Sequence, residues 1–299
     1  MVEPVLRTMA LILGAQVAAL AALERATPRT GRGIWLAPRT NAPKRATELW
    51  FLRYAAVWIG AFALIIGLGL YERFTAWTYL GVCGGLALPL ALQPFLYPGL
   101  TREADRPLAQ RYALKANVWL AIFGWVGNYW YTHYFYCVLR ARYTMPAWRL
   151  NDVPIAMYLA THFYFSSYHV LANLPLRYVR TAYAPGVART CLQAALVLAM
   201  SYGTAFMETL TISHYPDYDF ENRDMAYTVG SAFYGLYFIV SFPVYHALDE
   251  PDLRGPGSLA DVAFSSLGSA MAVLLLLDVS RLLLGVPLTI GGALWEVTG

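Results

Sequence analysis

Seven predominantly apolar stretches recur along this chain, at 49–70, 77–97, 115–139, 154–174, 189–212, 227–247 and 260–285, with only short polar segments between them. About 20 apolar residues suffice to carry an α-helix across the hydrocarbon core of a bilayer. Within lipid the backbone must satisfy its own hydrogen bonds, which leaves helices or closed barrels. Runs of this length specify helices, so the chain reads as all-α: a polytopic transmembrane bundle of about seven spans. Composition excludes the soluble alternative. Hydrophobic residues make up 58% of the 299 residues and charged ones only 13%, against about 25% charged in an average soluble domain. Residues 49–299 are expected to form the bundle with its site. Residues 1–48 stand apart: an apolar stretch from Met9 to Leu23, then a basic juxtamembrane segment with Pro28, Pro38 and Pro43. That first stretch fits an interfacial helix, an extra span or a weak targeting segment. No internal repeat is visible, so an inverted-repeat transporter is not suggested.

The net charge of +4 lies mostly beside the apolar runs. It reads as an orientation signal and not as a nucleic-acid surface. The segments on one side, from Arg25 to Arg53 onward, carry fifteen Lys and Arg, and the opposite side six. The richer side is expected in the cytoplasm. Cys83, Cys137 and Cys191 each fall within a span, an odd set of isolated thiols that fits neither a disulfide framework nor a zinc site. The five histidines form no HxxxH or HxxHH pattern, so no metal is expected.

Polar residues within spans should face the bundle interior. His162, Ser166, His169 and Asn173 share one helical stripe, and Ser201, Thr204, Glu208 and Thr211 another. Tyr227, Ser231, Tyr234, Ser241 and Tyr245 form a third, and Asn117 and Asn128 share a face with Tyr129, Thr132 and His133 nearby in the same span. The Ser, Thr and Asn positions fit interhelical glue. Glu208 differs, because an ionisable carboxyl inside a span is a functional-site hypothesis by default. Its plain alternative is a neutral acid hydrogen-bonded to the next helix. The acidic loop Asp217, Asp219, Glu221 and Asp224 is ordinarily a solvated face, but beside Glu208 it could roof a site. Aromatic residues reach 15%, with Trp119, Trp125, Tyr129, Trp130, Phe163, Tyr164 and Tyr168 mid-span. Ordinary packing accounts for them; so does an aromatic-walled cavity for a flat polycyclic lipid.

Long blocks of the sequence resemble the cycloeucalenol cycloisomerase family. They include GIWLAP (Gly33 to Pro38), ELWFLRY (Glu48 to Tyr54), KANVWLAIFGWVGNYWYTHYF (Lys115 to Phe135), YTMPAWRLNDVP (Tyr143 to Pro154), THFYFSSYHVLAN (Thr161 to Asn173), METLTIS (Met207 to Ser213), YFIVSFPV (Tyr237 to Val244) and LDVSRLLLG (Leu277 to Gly285). The likeness covers nearly everything after residue 32. Asp152 stands where the plant-type enzyme leads one to expect Asn, so a functional carboxyl there is not implied. The resemblance implies a sterol-pathway isomerase that opens the 9β,19-cyclopropane ring of cycloeucalenol-type sterols to give obtusifoliol-type Δ8-sterols. A proton goes to the ring methylene and a neighbouring proton leaves, with no cofactor.

Chemistry then assigns candidate roles. Glu208 is the expected general acid. His133 or His169 is the expected proton acceptor, with His162 a further catalytic candidate. Trp125 and Tyr129 are expected to line the cationic centre. Asn128 or Asn173 is expected to hold the sterol hydroxyl, with Thr132, Ser166 and Tyr234 also at the substrate. The expected partners are the cyclopropyl sterol and the bilayer; oligomeric state is open. The membrane is the endoplasmic reticulum in a eukaryote and the inner membrane in a bacterium. A non-catalytic sterol or lipid binder and a sterol double-bond isomerase are the competing readings.

Overall fold

A computed structural model describes residues 2–212, 215, 217–221, 225–290 and 295–298. A helix occupies each of the seven expected spans. The rods are α1 (Val2–Ala26), α2 (Ala42–Gly67), α3 (Ala76–Leu96), α4 (Tyr112–Val126) continued through a π turn (Gly127–Tyr131) into α5 (Thr132–Val138), α6 (Ile155–Ala182), α7 (Val187–Ile212), α8 (Ser231–His246) entered through a second π turn (Ala226–Gly230), and α9 (Leu259–Leu283). Six described helices are long and apolar enough to cross a membrane: α1, α2, α3, α7, α8 with its π turn, and α9.

Local chemistry marks several boundaries. Pro43 sits in the first turn of α2, where its missing N–H costs nothing. Thr75 caps α3 by accepting from the Thr78 amide. Ser258 and Asp261 form a capping box at α9, with bonds of 2.9 and 3.1 Å. α2 begins well before residue 49 because the polar residues Lys44, Thr47 and Glu48 are themselves buried.

α6 is the central helix, packed on α2, α3, α4, α7 and α8. That position explains why the most polar span of the chain is tolerated, since its stripe meets protein and not lipid. α1 packs on α7, with Met9 against Tyr202 and Phe206, while Leu11 and Val17 on its other faces stay exposed. Short strands cover one end. β1 (Ala141–Tyr143) pairs antiparallel with β4 (Tyr218–Phe220), and β2 (Ala147–Leu150) pairs with both β3 (Val153–Pro154) and β5 (Trp295–Thr298).

The opposite end, where most basic residues gather, holds a buried charge network. Arg177 bridges Glu48 (2.6 Å) and Glu250 (3.0 Å), and Lys44 and Arg180 also reach Glu250 at 2.8 and 2.7 Å. Burial alone would raise the Glu250 pKa. The hydrogen bond from Arg177 and the charge of Lys44 override it and hold the carboxyl at about 2. Lys44 and Arg177, which belong to the fifteen basic residues read above as an orientation signal, are therefore interior ion-pair members.

Candidate active site

A cavity of about 860 Å³ lies between the C-terminal half of α2, the N-terminal half of α3, α6 and the C-terminal half of α7. Its volume falls within the roughly 300–1,000 Å³ of small-molecule sites. The α6 wall is Met157, Ala160, Tyr164, Tyr168, Leu171 and Pro175, spaced three and four apart along one stripe. Pro175 has no N–H to offer the Leu171 carbonyl, which loosens the helix where both residues line the space. From α7 come Met200, Gly203, Thr204, Met207, Glu208 and Thr211. A Cβ built at Gly203 would meet nothing within 4 Å, so this glycine adds open volume. Trp58, Phe62, Phe74 and Phe242 complete a largely aromatic wall.

Glu208 is the carboxylate of this lining. Its Oε2 accepts from the Tyr234 hydroxyl at 2.8 Å, and the Tyr168 hydroxyl also bonds it. Its partial exposure is to the cavity. The carboxyl thus faces an apolar hollow while two phenols from α6 and α8 fix its direction.

Tyr143, Met145, Tyr215 and Tyr218 close the strand-covered end of the cavity. The Tyr143 and Tyr218 rings stack at 4.6 Å across the β1–β4 pair. The Tyr79 hydroxyl donates to Asp217 and bonds the Tyr215 hydroxyl. The loop expected as a roof therefore supplies one through its tyrosines. Its Glu221 instead pairs with exposed Arg140, and Asp224 lies outside the described residues. On the α2–α7 side Ile59, Ile66, Leu171 and Met207 line the cavity yet are each about half exposed. The cavity is open there on the flank of the bundle.

Most other candidate residues do not reach this cavity. The polar stripe of α6 is turned away from the aromatic one and is consumed in helix packing, and the candidates of the α4–α5 rod lie elsewhere. His162 donates from Nε2 to Asn117 Oδ1 (2.8 Å), and Ser166 donates to the Phe163 carbonyl (2.8 Å). His169 donates from Nδ1 to the Phe165 carbonyl (2.8 Å) and pairs Nε2 with Ser241 Oγ (2.9 Å). Asn173 donates to Glu48 (3.3 Å), in the charge network. Asn128 donates to the Gly124 carbonyl and Thr161 Oγ1, both at 2.8 Å. His133 is buried beside Asn151 and Tyr136. Tyr129 packs on Trp130, and its carbonyl accepts from Asn151 (2.8 Å). Thr132 is partly buried and absent from the cavity wall. Trp125 is 53% exposed on the outer surface against Tyr158. Of the candidates, Glu208 lines the cavity and Tyr234 is tied to it through its hydrogen bond to Glu208.

Tyr164 and Tyr168, named above among the mid-span aromatics but given no site role, line the cavity; with Met157, Ala160, Leu171 and Pro175 they form a helical stripe parallel to the polar one. Tyr143, Tyr215 and Tyr218 carried no such signal, because a pairing between strands some 75 residues apart leaves no local periodicity.

A curated relative from Arabidopsis thaliana, cycloeucalenol cycloisomerase, is 43% identical over 265 residues, covering 86% of this chain and 92% of its own length. The chain belongs to the cycloeucalenol cycloisomerase family. No family model matches it, and no solved structure matches it. As in that relative's name, the chemistry of a cycloisomerase is isomerisation, and this chain is a sterol-biosynthesis isomerase.

Proposed function

We propose that this chain opens the 9β,19-cyclopropane ring of a cycloeucalenol-type sterol to give the Δ8-sterol, with Glu208 as general acid. The supporting observation is one carboxyl, held by Tyr234 and Tyr168, facing an aromatic-walled cavity of sterol-like size. The protonated carboxyl delivers its proton to the ring methylene. The strained carbon–carbon bond breaks, and its electron pair forms the new C–H bond. Positive charge develops at the ring-fusion carbon. The carboxylate left behind and the faces of Tyr164, Tyr168 and Trp58 stabilise it. A proton then leaves the adjacent carbon as the double bond forms, so substrate and product have the same composition.

The histidines first considered as acceptors lie away from the cavity. Tyr215 and Tyr79, bonded to one another and backed by Asp217, are the acceptor route at the cavity wall. Substrate reaches the site sideways from the bilayer, past Ile59, Ile66 and Met207, which suits a molecule dissolved in lipid. The fold places the site in a multi-pass membrane protein; the endoplasmic reticulum is the expected host membrane in a eukaryote and the inner membrane in a bacterium.

Membranes from a sterol-free bacterium expressing the chain test this reading. Fed cycloeucalenol in deuterated water, they should yield an isomer one deuterium heavier at the former ring methylene. Binding without turnover would make the chain a carrier. Turnover only of a sterol lacking the three-membered ring would make it a double-bond isomerase.

A further inference from the structure

The basic end of the bundle carries a second concavity, a surface pocket of about 450 Å³ lined by Arg39, Ala42, Arg45, Ala46, Leu49 and Arg102. Three of these six are arginines, and none is acidic. They come from three separate pieces of chain: the 3₁₀ turn Arg39–Asn41, the first turns of α2, and the loop after the Pro98–Thr101 turn, which packs on α2. We propose that this pocket binds the phosphate headgroup of an anionic phospholipid, with an acyl chain lying along α2.

Four observations point there. The exposed Arg39 and Arg102 side chains make no ion pair among the described residues. The carboxylates next in sequence to lining residues are committed elsewhere, Glu48 (beside Leu49) to Arg177 and Glu103 (beside Arg102) to the Ala113 and Tyr112 amides. The backbone of Arg102 is left-handed, with φ at +59°, a conformation disfavoured in any residue with a Cβ. Buried Thr101 and Glu103 clamp it on either side, so the guanidinium is directed outward from a fixed base.

The N-terminus of the 26-residue α2 lines the same pocket and has no side-chain cap, because Asn41 donates instead to the Asp249 carbonyl (2.8 Å). Its partial positive charge adds to that of the arginines. Below the pocket, the same face of α2 runs from Leu49 past the exposed Arg53, a fourth cation one turn on, to the exposed Val57, Gly60 and Leu64. The apolar stretch beyond Arg53 is what a lipid needs and a free phosphate does not. Basic pockets at the ends of membrane helices are known to take anionic headgroups.

Thermal unfolding of the detergent-purified chain tests the proposal, titrated separately with phosphatidylglycerol, phosphatidylcholine and inorganic phosphate. Phosphatidylglycerol should raise Tm and the other two should not. In the Arg39→Ala/Arg102→Ala variant its apparent affinity should fall about thirty-fold, from ~1 kcal/mol per basic residue near an anionic surface. The Arg106→Ala/Arg254→Ala variant removes the same charge elsewhere at this end and should keep the wild-type shift. An unchanged shift in the first variant, or an equal loss in the second, overturns the site. An equal response to inorganic phosphate overturns the lipid identity, and an equal response to phosphatidylcholine overturns headgroup recognition.

Discussion

Replacing Glu208 by Gln probes the reaction at the point where the structure is most specific. The amide keeps the shape of the side chain, and its oxygen can still accept from Tyr234, now 2.8 Å from Oε2. Packing and the cavity wall therefore persist, and only the transferable proton is lost. A positioned general acid is worth about 10²–10⁴ in rate, or roughly 3–5 kcal/mol at 1.36 kcal/mol per decade. A cyclopropane is a very poor base, and the same group, once ionised, sits beside the developing cation. The expected loss is therefore at the upper end, at least about 10³-fold in kcat, with KM little changed. Single-turnover assays of purified protein in deuterated buffer, read as deuterated product by mass spectrometry, give the rate directly. Tyr234→Phe is the companion: it keeps the acid and removes one orienting bond, so about a ten-fold loss is expected. A Glu208→Gln enzyme within threefold of wild type would refute the assignment of the acid.

Three further outcomes follow from particular contacts. Gly203→Met should fill part of the cavity that Gly203 lines, since a Cβ there meets nothing within 4 Å, raising KM at least about ten-fold, whereas Gly203→Ala should stabilise α7 by about 0.5–1 kcal/mol in thermal unfolding. Glu250→Gln leaves Lys44, Arg177 and Arg180 short of a charge partner and should destabilise the fold by about 3–5 kcal/mol. Because its folded pKa is depressed to about 2, the stabilisation from this group is present above the ordinary carboxylate range. It should be lost as pH falls from about 4.5 through 2, which unfolding midpoints across that window will show. His169→Ala, which strips Ser241 and the Phe165 carbonyl of a partner, should cost about 1–3 kcal/mol of stability while the folded fraction keeps kcat within a few-fold.

In the proposed reaction the aromatic lining and Glu208, the one carboxyl among the described lining residues, have separate tasks. Space walled by Trp58, Phe62, Tyr164 and Phe242 would keep water from quenching the proposed cation before its proton leaves. The half-exposed lining residues Ile59, Ile66, Leu171 and Met207 lie within helices α2, α6 and α7, which suits the proposed sideways entry of a substrate dissolved in lipid.

The sequence by itself determined the all-helical, polytopic class, because hydrophobic length is a one-dimensional property: a run of about 20 apolar residues must be a helix in lipid wherever its neighbours lie. It left α1 open, and only packing shows why the more polar α6 is tolerated. The sequence also singled out Glu208, since a carboxyl in such a run demands an explanation whatever surrounds it. It could not say which of two parallel stripes on α6 faces open space. His162, His169 and Asn173 look functional in one dimension, yet Asn117, Ser241 and Glu48 arrive from other helices to satisfy them. The roof of Tyr143 and Tyr218 and the Arg177–Glu48–Glu250 network likewise join residues far apart in the chain. A side chain's partner is set by how helices pack, and only the assembled bundle decides whether a polar group is bonded away or left facing a substrate.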